Sequence, residues 1–246
     1  MSMLELTPDF IKEFAAYLTA ERGLKNATIW LKGVVMRAHY NGLIPRNPFT
    51  QFYISPNVKE REFLTEDEIK RIMAYEFDNP TLALVRDLLI FACFTSLSFV
   101  NMKELTTDEI VEVNGEKWII AKRHKTNVPF QVKLLDIPLQ IIKRYRHLSE
   151  DKLVFGKINY WTMCKQLKKV ITECGIEKRI SYHCARHTFG TLALSKGMPI
   201  ESVSRVLGHT NILTTQIYAK ITTQKLDNDL SMFGNKLNAS FGSVTP

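Results

Sequence analysis

The stretch from Ser181 to Lys220, SYHCARHTFGTLALSKGMPIESVSRVLGHTNILTTQIYAK, leaves few folding options. Ser181 is a helix cap, and Gly197 sits where a C-terminal glycine would close the helix. Pro199 opens a second, shorter helix burying Ile200, Val203, Val206 and Leu207, which Gly208 stops just before His209. Along the first helix Ala185, Phe189, Leu192 and Ala193 form a core-facing stripe. His183 and Arg186 are three residues apart, so they share a face in the first turn. That turn already offers free N–H groups and the positive end of the helix dipole, a natural anion site. Gly190 continues the face without a side chain, and Tyr218 follows nine residues after His209, between Ile217 and Ile221 as packing anchors.

The rest of the chain reads as helices around one small sheet. Thr7-Pro8 starts a helix with Phe10, Phe14, Tyr17 and Leu18 as its buried stripe, closed by Gly23. A second begins near Asn26, buries Leu31, Val34, Val35 and Ala38, and stops at Asn41-Gly42. Residues 54–63, ISPNVKEREF, mix proline with alternating charge and read as a linker. Thr65 and Glu68 form a capping box for a helix burying Ile69, Ile72 and Met73. A helix from about Thr81 to Thr95 buries Leu82, Val85, Leu88, Leu89 and Ala92. Ile110–Val113, Asn114-Gly115 and Trp118–Ala121 predict a hairpin, and Val128–Leu134 a third strand. Pro138 opens a helix burying Leu139, Ile142 and Tyr145, and another runs from about Tyr160 to Cys174. Thr222–Leu237 is amphipathic through Leu226, Leu230 and Phe233, followed by a polar tail from Asn238.

With 246 residues, 45% hydrophobic, the chain suits one large or two small domains. Its net charge of +8 and pI near 9.3 favour a polyanionic partner. From Lys117 to His147 there are eight Lys or Arg residues and one acid, Asp136. This density suits a phosphate-facing surface and equally an ordinary solvated face. Cys93, Cys164, Cys174 and Cys184 stand apart without a C-x-x-C pair, which argues against zinc and for reduced thiols. No apolar run approaches a membrane span or a secretion signal, so a cytoplasmic location is expected.

H-x-x-R, then L-G-H, then a tyrosine nine residues on resembles the C-terminal signature of the tyrosine recombinases, the phage-integrase family. The resemblance implies a mainly α fold with a small antiparallel β-sheet, an α+β catalytic domain over residues 64–246. Residues 1–53 resemble the latter half of the family's helical core-binding domain, which clamps DNA, and the chain reads as a fragment or a shortened version. Tyr218 would be the nucleophile that forms a 3′-phosphotyrosine link to DNA, with Arg186, His183 and His209 holding and proton-balancing the phosphate. Lys125, in the R-x-K-T phrase between the second and third strands, matches the general acid for the departing 5′ oxygen. No metal or other cofactor is implied. Double-stranded DNA would be the partner, with a homotetramer on DNA, a monomer or weak oligomer without it, a possible DNA-bending accessory protein, and nucleoid association. Lys122, Arg123, Lys165, Lys168 and Lys169 are candidate DNA contacts.

The chain departs from the family at one turn. Where the family has T-G-L-R and an acid three residues later, this chain has Thr95-Ser96-Leu97-Ser98 and Asn101. A conjugative-transposon branch carries serine at this place and still recombines DNA. Arg123 is the candidate for the substitute cation beside Ser98, with Arg86 second. Besides the integrase-type recombinase, two alternatives stand: an inactive DNA-binding relative and a type IB topoisomerase-like nicking and resealing enzyme. His187 lies outside the motif and reads as a structural or DNA-contacting residue.

Overall fold

The computed structural model describes residues 6–23, 27–50, 62–124, 128–149, 151–219 and 223–242. The chain divides into two compact units, Met1–Glu60 and Arg61–Pro246. Apart from Glu62 and Phe63, the expected linker lies outside the described residues.

In the first unit Thr7 caps α1 (Pro8–Ala20), its hydroxyl accepting from the Phe10 N–H at 3.2 Å. α2 (Ala27–Tyr40) packs on it, and Ile11, Val35 and Ala38 form a small core with Ile44 and Phe49. The buried stripe is rotated from the expected one. Ile11 is the buried residue of α1, Phe10, Phe14 and Leu18 are half-buried, and Tyr17 and Val34 are exposed. A helix with one neighbour covers only a narrow strip of its apolar face, which leaves Tyr17 and Val34 outside. Trp30, Tyr40 and Leu43 are exposed as well.

The second unit runs α3 (Glu66–Ala74), α4 (Pro80–Thr95), a short α5 (Phe99–Lys103), β1 (Ile110–Val113), β2 (Glu116–Lys122), β3 (Pro129–Lys133), α6 (Asp136–Arg144), α7 (Tyr160–Glu173), α8 (Tyr182–Ser195), α9 (Ile200–Leu207), α10 (Leu213–Gln216) and α11 (Thr223–Phe241). The capping box at α3 is formed: the Thr65 hydroxyl accepts from the Glu68 N–H at 3.2 Å, and the Glu68 carboxylate accepts from the Thr65 N–H at 2.7 Å. Ile69 and Ile72 are buried, whereas Met73, one position further round the helix, is exposed. α4 is the central element. Asn79 caps it, and it is buried nearly all round because α3, α6, α7 and α8 pack against it. Its charged pair is satisfied internally: Asp87 accepts from Arg86 Nε at 2.7 Å, Arg144 Nη1 at 2.7 Å and the Tyr145 hydroxyl at 2.8 Å. Burial and the bond to Asp87 raise the pKa of that hydroxyl.

The sheet is antiparallel in the order β1-β2-β3. Asn114 (φ 52°) and Gly115 (φ 78°) both take positive φ, as a two-residue type I′ hairpin turn requires. In register, Ile119 faces Ile110 on one side and Val132 on the other, and Ala121 faces Phe130. The Arg123 N–H donates to Val128 O at 2.8 Å, extending the β2–β3 ladder past Lys122, and β3 contacts α9. At the C-terminal end α11 continues to Phe241, past the expected helix end at Leu237.

Candidate active site

The ends of two helices build the centre of the site. α4 stops at Ser96, which takes the left-handed conformation (φ 59°) and is fully buried. Its carbonyl accepts from Arg186 Nη1 at 2.7 Å and from Arg123 Nη1 at 3.5 Å. The last carbonyls of α9 take the remaining bonds: Leu207 O accepts from Arg186 Nη2 at 2.6 Å and Val206 O from Arg123 Nη2 at 2.7 Å. Carbonyls at a helix C-terminus lack intrahelical partners and carry the negative end of the dipole, so they suit guanidinium groups. Arg186 reaches them from the first half of α8, and Arg123 from the end of β2.

Arg123 is 6% exposed and lies between Phe130, whose ring centroid is 3.9 Å from its Cζ, and Gly208. A Cβ on Gly208 would come within 2.9 Å of Arg123 Nε, and Gly208 itself has φ +64°. Both facts favour glycine in the L-G-H phrase.

No carboxylate pairs with Arg123 or Arg186 among the described residues. Burial, then the charge of Arg186, push the Arg123 guanidinium down to about 9; burial also lowers Arg186, partly offset by Tyr218. His209, fixed through Nδ1 to Thr215 Oγ1 at 2.9 Å, is pushed down to about 4 by burial and then by Arg186 and Arg123. The pocket therefore holds two cations and a neutral imidazole, which is the electrostatics of a site built for an anion. Arg86 differs: its guanidinium is tied to Asp87 and to Tyr75 O, so its charge serves the fold.

Tyr218 follows α10, its N–H donating to Thr215 O at 3.0 Å. Its ring lies directly over Gly190, where a Cβ would stand 2.8 Å from Cδ2 and 2.9 Å from Cγ. The ring also packs on the cluster of Leu194, Val203 and Leu207. Ile217, expected as an anchor, is exposed, and Ile221 lies outside the described residues. Gly190 and this cluster supply the anchoring instead. His187 is buried, with its ring 5.2 Å from Tyr218 and 4.8 Å from the exposed His183. Of the stripe expected on α8, Ala185 is buried in the main core and Leu192 packs against it, while Phe189 and Ala193 turn to the smaller cluster.

Ser98 is the cap of α5; its hydroxyl donates to Asn101 Oδ1 at 2.7 Å and accepts from the Asn101 N–H at 3.3 Å. Asn101 Nδ2 in turn donates to Lys122 O at 3.2 Å. The two uncharged substitutions thus satisfy each other. Lys122, Lys165, Lys168 and Lys169 are exposed, and Lys125 lies outside the described residues. Cys93 is core packing, its thiol pushed up to about 12 by burial. Ser96 and His187 carry geometry that the motif did not assign to them.

Two outcomes follow from this geometry. Gly190→Ala improves helix propensity by about 1 kcal/mol but displaces Tyr218. Pushing the ring off its packed cluster outweighs that gain, so the melting temperature of Gly190→Ala should fall; an unchanged or higher melting temperature would contradict the packing argument. His209 binds its proton near pH 6.5 when unfolded but only near 4 when folded, so the stability linked to its neutrality is full above pH 6.5 and lost as pH falls towards 4. Melting temperature should drop less between pH 7 and 5 in DNA-free His209→Asn than in wild type, and equal drops would refute the shift.

The sequence profile of the phage integrase family matches residues 62–225. A tyrosine recombinase of Pseudothermotoga lettingae is 28% identical over 87% of this chain and 78% of its own length. The tyrosine recombinase XerA of Saccharolobus solfataricus is 37% identical over 78% of this chain and 62% of its own. Among solved structures, the Tn1549 transposon integrase in complex with circular intermediate DNA superimposes with a TM-score of 0.75 at 16% identity, covering 94% of this chain and 86% of that one. The XerH site-specific recombinase bound to palindromic difH substrate gives 0.71 at 20% identity, over 95% and 74%. The mainly helical unit with its three-stranded antiparallel sheet is the same fold, and the chain belongs to the phage integrase family of tyrosine recombinases.

Proposed function

We propose that this chain is a site-specific DNA recombinase that integrates and excises a mobile element through a covalent tyrosine–DNA intermediate. The observation that carries the reading is the convergence of Arg186 and Arg123 on the Ser96 carbonyl, with no carboxylate paired to either among the described residues, in the pocket of His209 and Tyr218. A scissile phosphate is the anion that such a pair of guanidinium groups suits. Tyr218 Oη attacks phosphorus, the bond to the 5′ oxygen breaks, and the 3′ phosphate remains on the tyrosine. The tyrosine proton passes to His183 or His209, and Lys125, by resemblance, protonates the leaving oxygen. Bond energy is conserved in the phosphotyrosine, so no nucleotide is consumed.

In this reading Arg186 offers donors to the phosphate oxygens, since its five N–H groups exceed the two carbonyls that hold it. Arg123, being buried, contributes its charge from behind. A fixed charge in a low-dielectric pocket stabilises the developing negative charge without reorganisation. It replaces the guanidinium missing at Ser98. The residue 1–53 unit acts as a partial core-binding domain, and the exposed lysines Lys122, Lys165, Lys168 and Lys169 contact backbone phosphates. DNA as substrate places the protein in the cytoplasm at the nucleoid; among the described residues no helix is long and apolar enough to cross a membrane.

The second reading, an inactive DNA-binding relative, draws on the neutral Ser98–Asn101 pair. A nicked suicide substrate separates the two. Wild type should form a covalent adduct, Tyr218→Phe none, and Arg123→Ala should be slower by about 100-fold with nearly unchanged DNA affinity. Binding without any wild-type adduct would establish the inert module, and an Arg123→Ala enzyme at full speed would remove Arg123 from the mechanism.

Assembly follows from α11. Leu226, Leu230, Phe233 and Leu237 share one helical face and are exposed. In the proposed tetramer on DNA this face docks on a neighbouring copy. Leu230→Glu should leave the melting temperature unchanged and reduce four-subunit complexes on DNA in mass photometry; unimpaired tetramers would rule the docking face out.

A further inference from the structure

The geometry points to Ser96 as a positioning residue that aims Arg123 through its side-chain hydroxyl. This rests on the reading of Arg123 as the second cation. Ser96 occupies a left-handed position (φ 59°) that glycine adopts without strain, so a serine there needs a compensating contact. The contact is visible. Ser96 Oγ donates to Val206 O at 3.2 Å and accepts from Arg123 Nη2 at 3.3 Å. The same Nη2 donates to Val206 O at 2.7 Å, so hydroxyl, carbonyl and guanidinium close a three-membered ring of hydrogen bonds.

Without the hydroxyl, Arg123 keeps one short bond through Nη2 and one long bond of 3.5 Å through Nη1. Its Nε is buried without a hydrogen-bond partner, and neither the Phe130 face nor the Gly208 backbone supplies a directional bond. Nη2 is then left with Val206 O as its acceptor and Nη1 with the long bond, so the guanidinium turns more easily about its short bond. The Ser96 hydroxyl gives Nη2 a second acceptor and so fixes its orientation. Arg186 does not touch the hydroxyl; it is fixed by the Ser96 and Leu207 carbonyls, which any residue at position 96 leaves in place. The arrangement therefore separates the two arginines: the backbone of residue 96 serves both, and its side chain serves Arg123 alone.

The test is single-turnover cleavage of a nicked suicide duplex at saturating DNA, with melting temperature and DNA affinity measured beside it. Ser96→Gly removes the hydroxyl and relieves the backbone, and Ser96→Ala removes the hydroxyl only. Both should cleave about tenfold slower than wild type, with DNA affinity unchanged and Ser96→Gly at least as stable. In an Arg123→Lys background the same substitutions should add less than twofold. An independent signature is the Arg123 guanidinium in 15N-resolved spectra: two distinct Nη signals in wild type, merged in Ser96→Ala by faster rotation. Wild-type rates in both Ser96 variants, beside a slow Arg123→Ala enzyme, would overturn the positioning role and leave Arg123 in place. A full-speed Arg123→Ala enzyme would overturn both. Equal tenfold losses in the Arg123→Lys background, or unmerged signals, would show that Ser96 acts by another route.

Discussion

One carbonyl oxygen, that of Ser96, accepts from two guanidinium groups, and much of the second unit exists to keep that arrangement together. Two like charges in a desolvated pocket repel each other, which is why burial and mutual proximity lower the pKa of Arg123. The repulsion is held by the ends of two helices. α4 contributes Ser96 O and α9 contributes Val206 O and Leu207 O, three acceptors at negative dipole ends. α4 can serve as this fixed post because four other helices bury it.

The same arrangement explains why the uncharged Ser98 and Asn101 do not leave the pocket without a second cation. Their side chains bond to each other, and Asn101 also accepts the task of holding the Lys122 carbonyl, next to Arg123 in sequence. Arg123 follows at the end of β2 and lies near Arg186. In the proposed chemistry the charge on the phosphate is met by guanidinium groups from β2 and α8, while the nucleophile rests on a helix that has no side chain at Gly190.

Much of this was legible in the sequence where a local rule decides the outcome. The Thr65–Glu68 capping box, the Asn114-Gly115 turn, the Ser181 cap and the buried positions of α4 rest on hydrogen bonds or periodicities within a few residues, and each is formed. Burial on α1 and α2 was less legible, because which apolar residues are covered depends on a partner face and not on spacing; Tyr17 and Val34 remained outside for that reason. Of the residues in the motif, Arg186 lies near enough to Tyr218 and to His209 to share their electrostatics, while Ser96 and His187 make contacts 27, 90 and 110 residues away or ring to ring, which no local pattern encodes. Packing of Tyr218 on Gly190 and on the Leu194–Val203–Leu207 cluster, instead of through Ile217, is likewise a tertiary fact.

The most direct test of the paired-arginine account replaces the scissile phosphate of a nicked duplex by a neutral methylphosphonate. If Arg123 acts by neutralising negative charge on the phosphate, an Arg123→Ala enzyme that is slow on the ordinary linkage should approach the wild-type rate on the neutral one. An equal deficit on both linkages would contradict the account, because the arginine would then be serving geometry or folding and not charge.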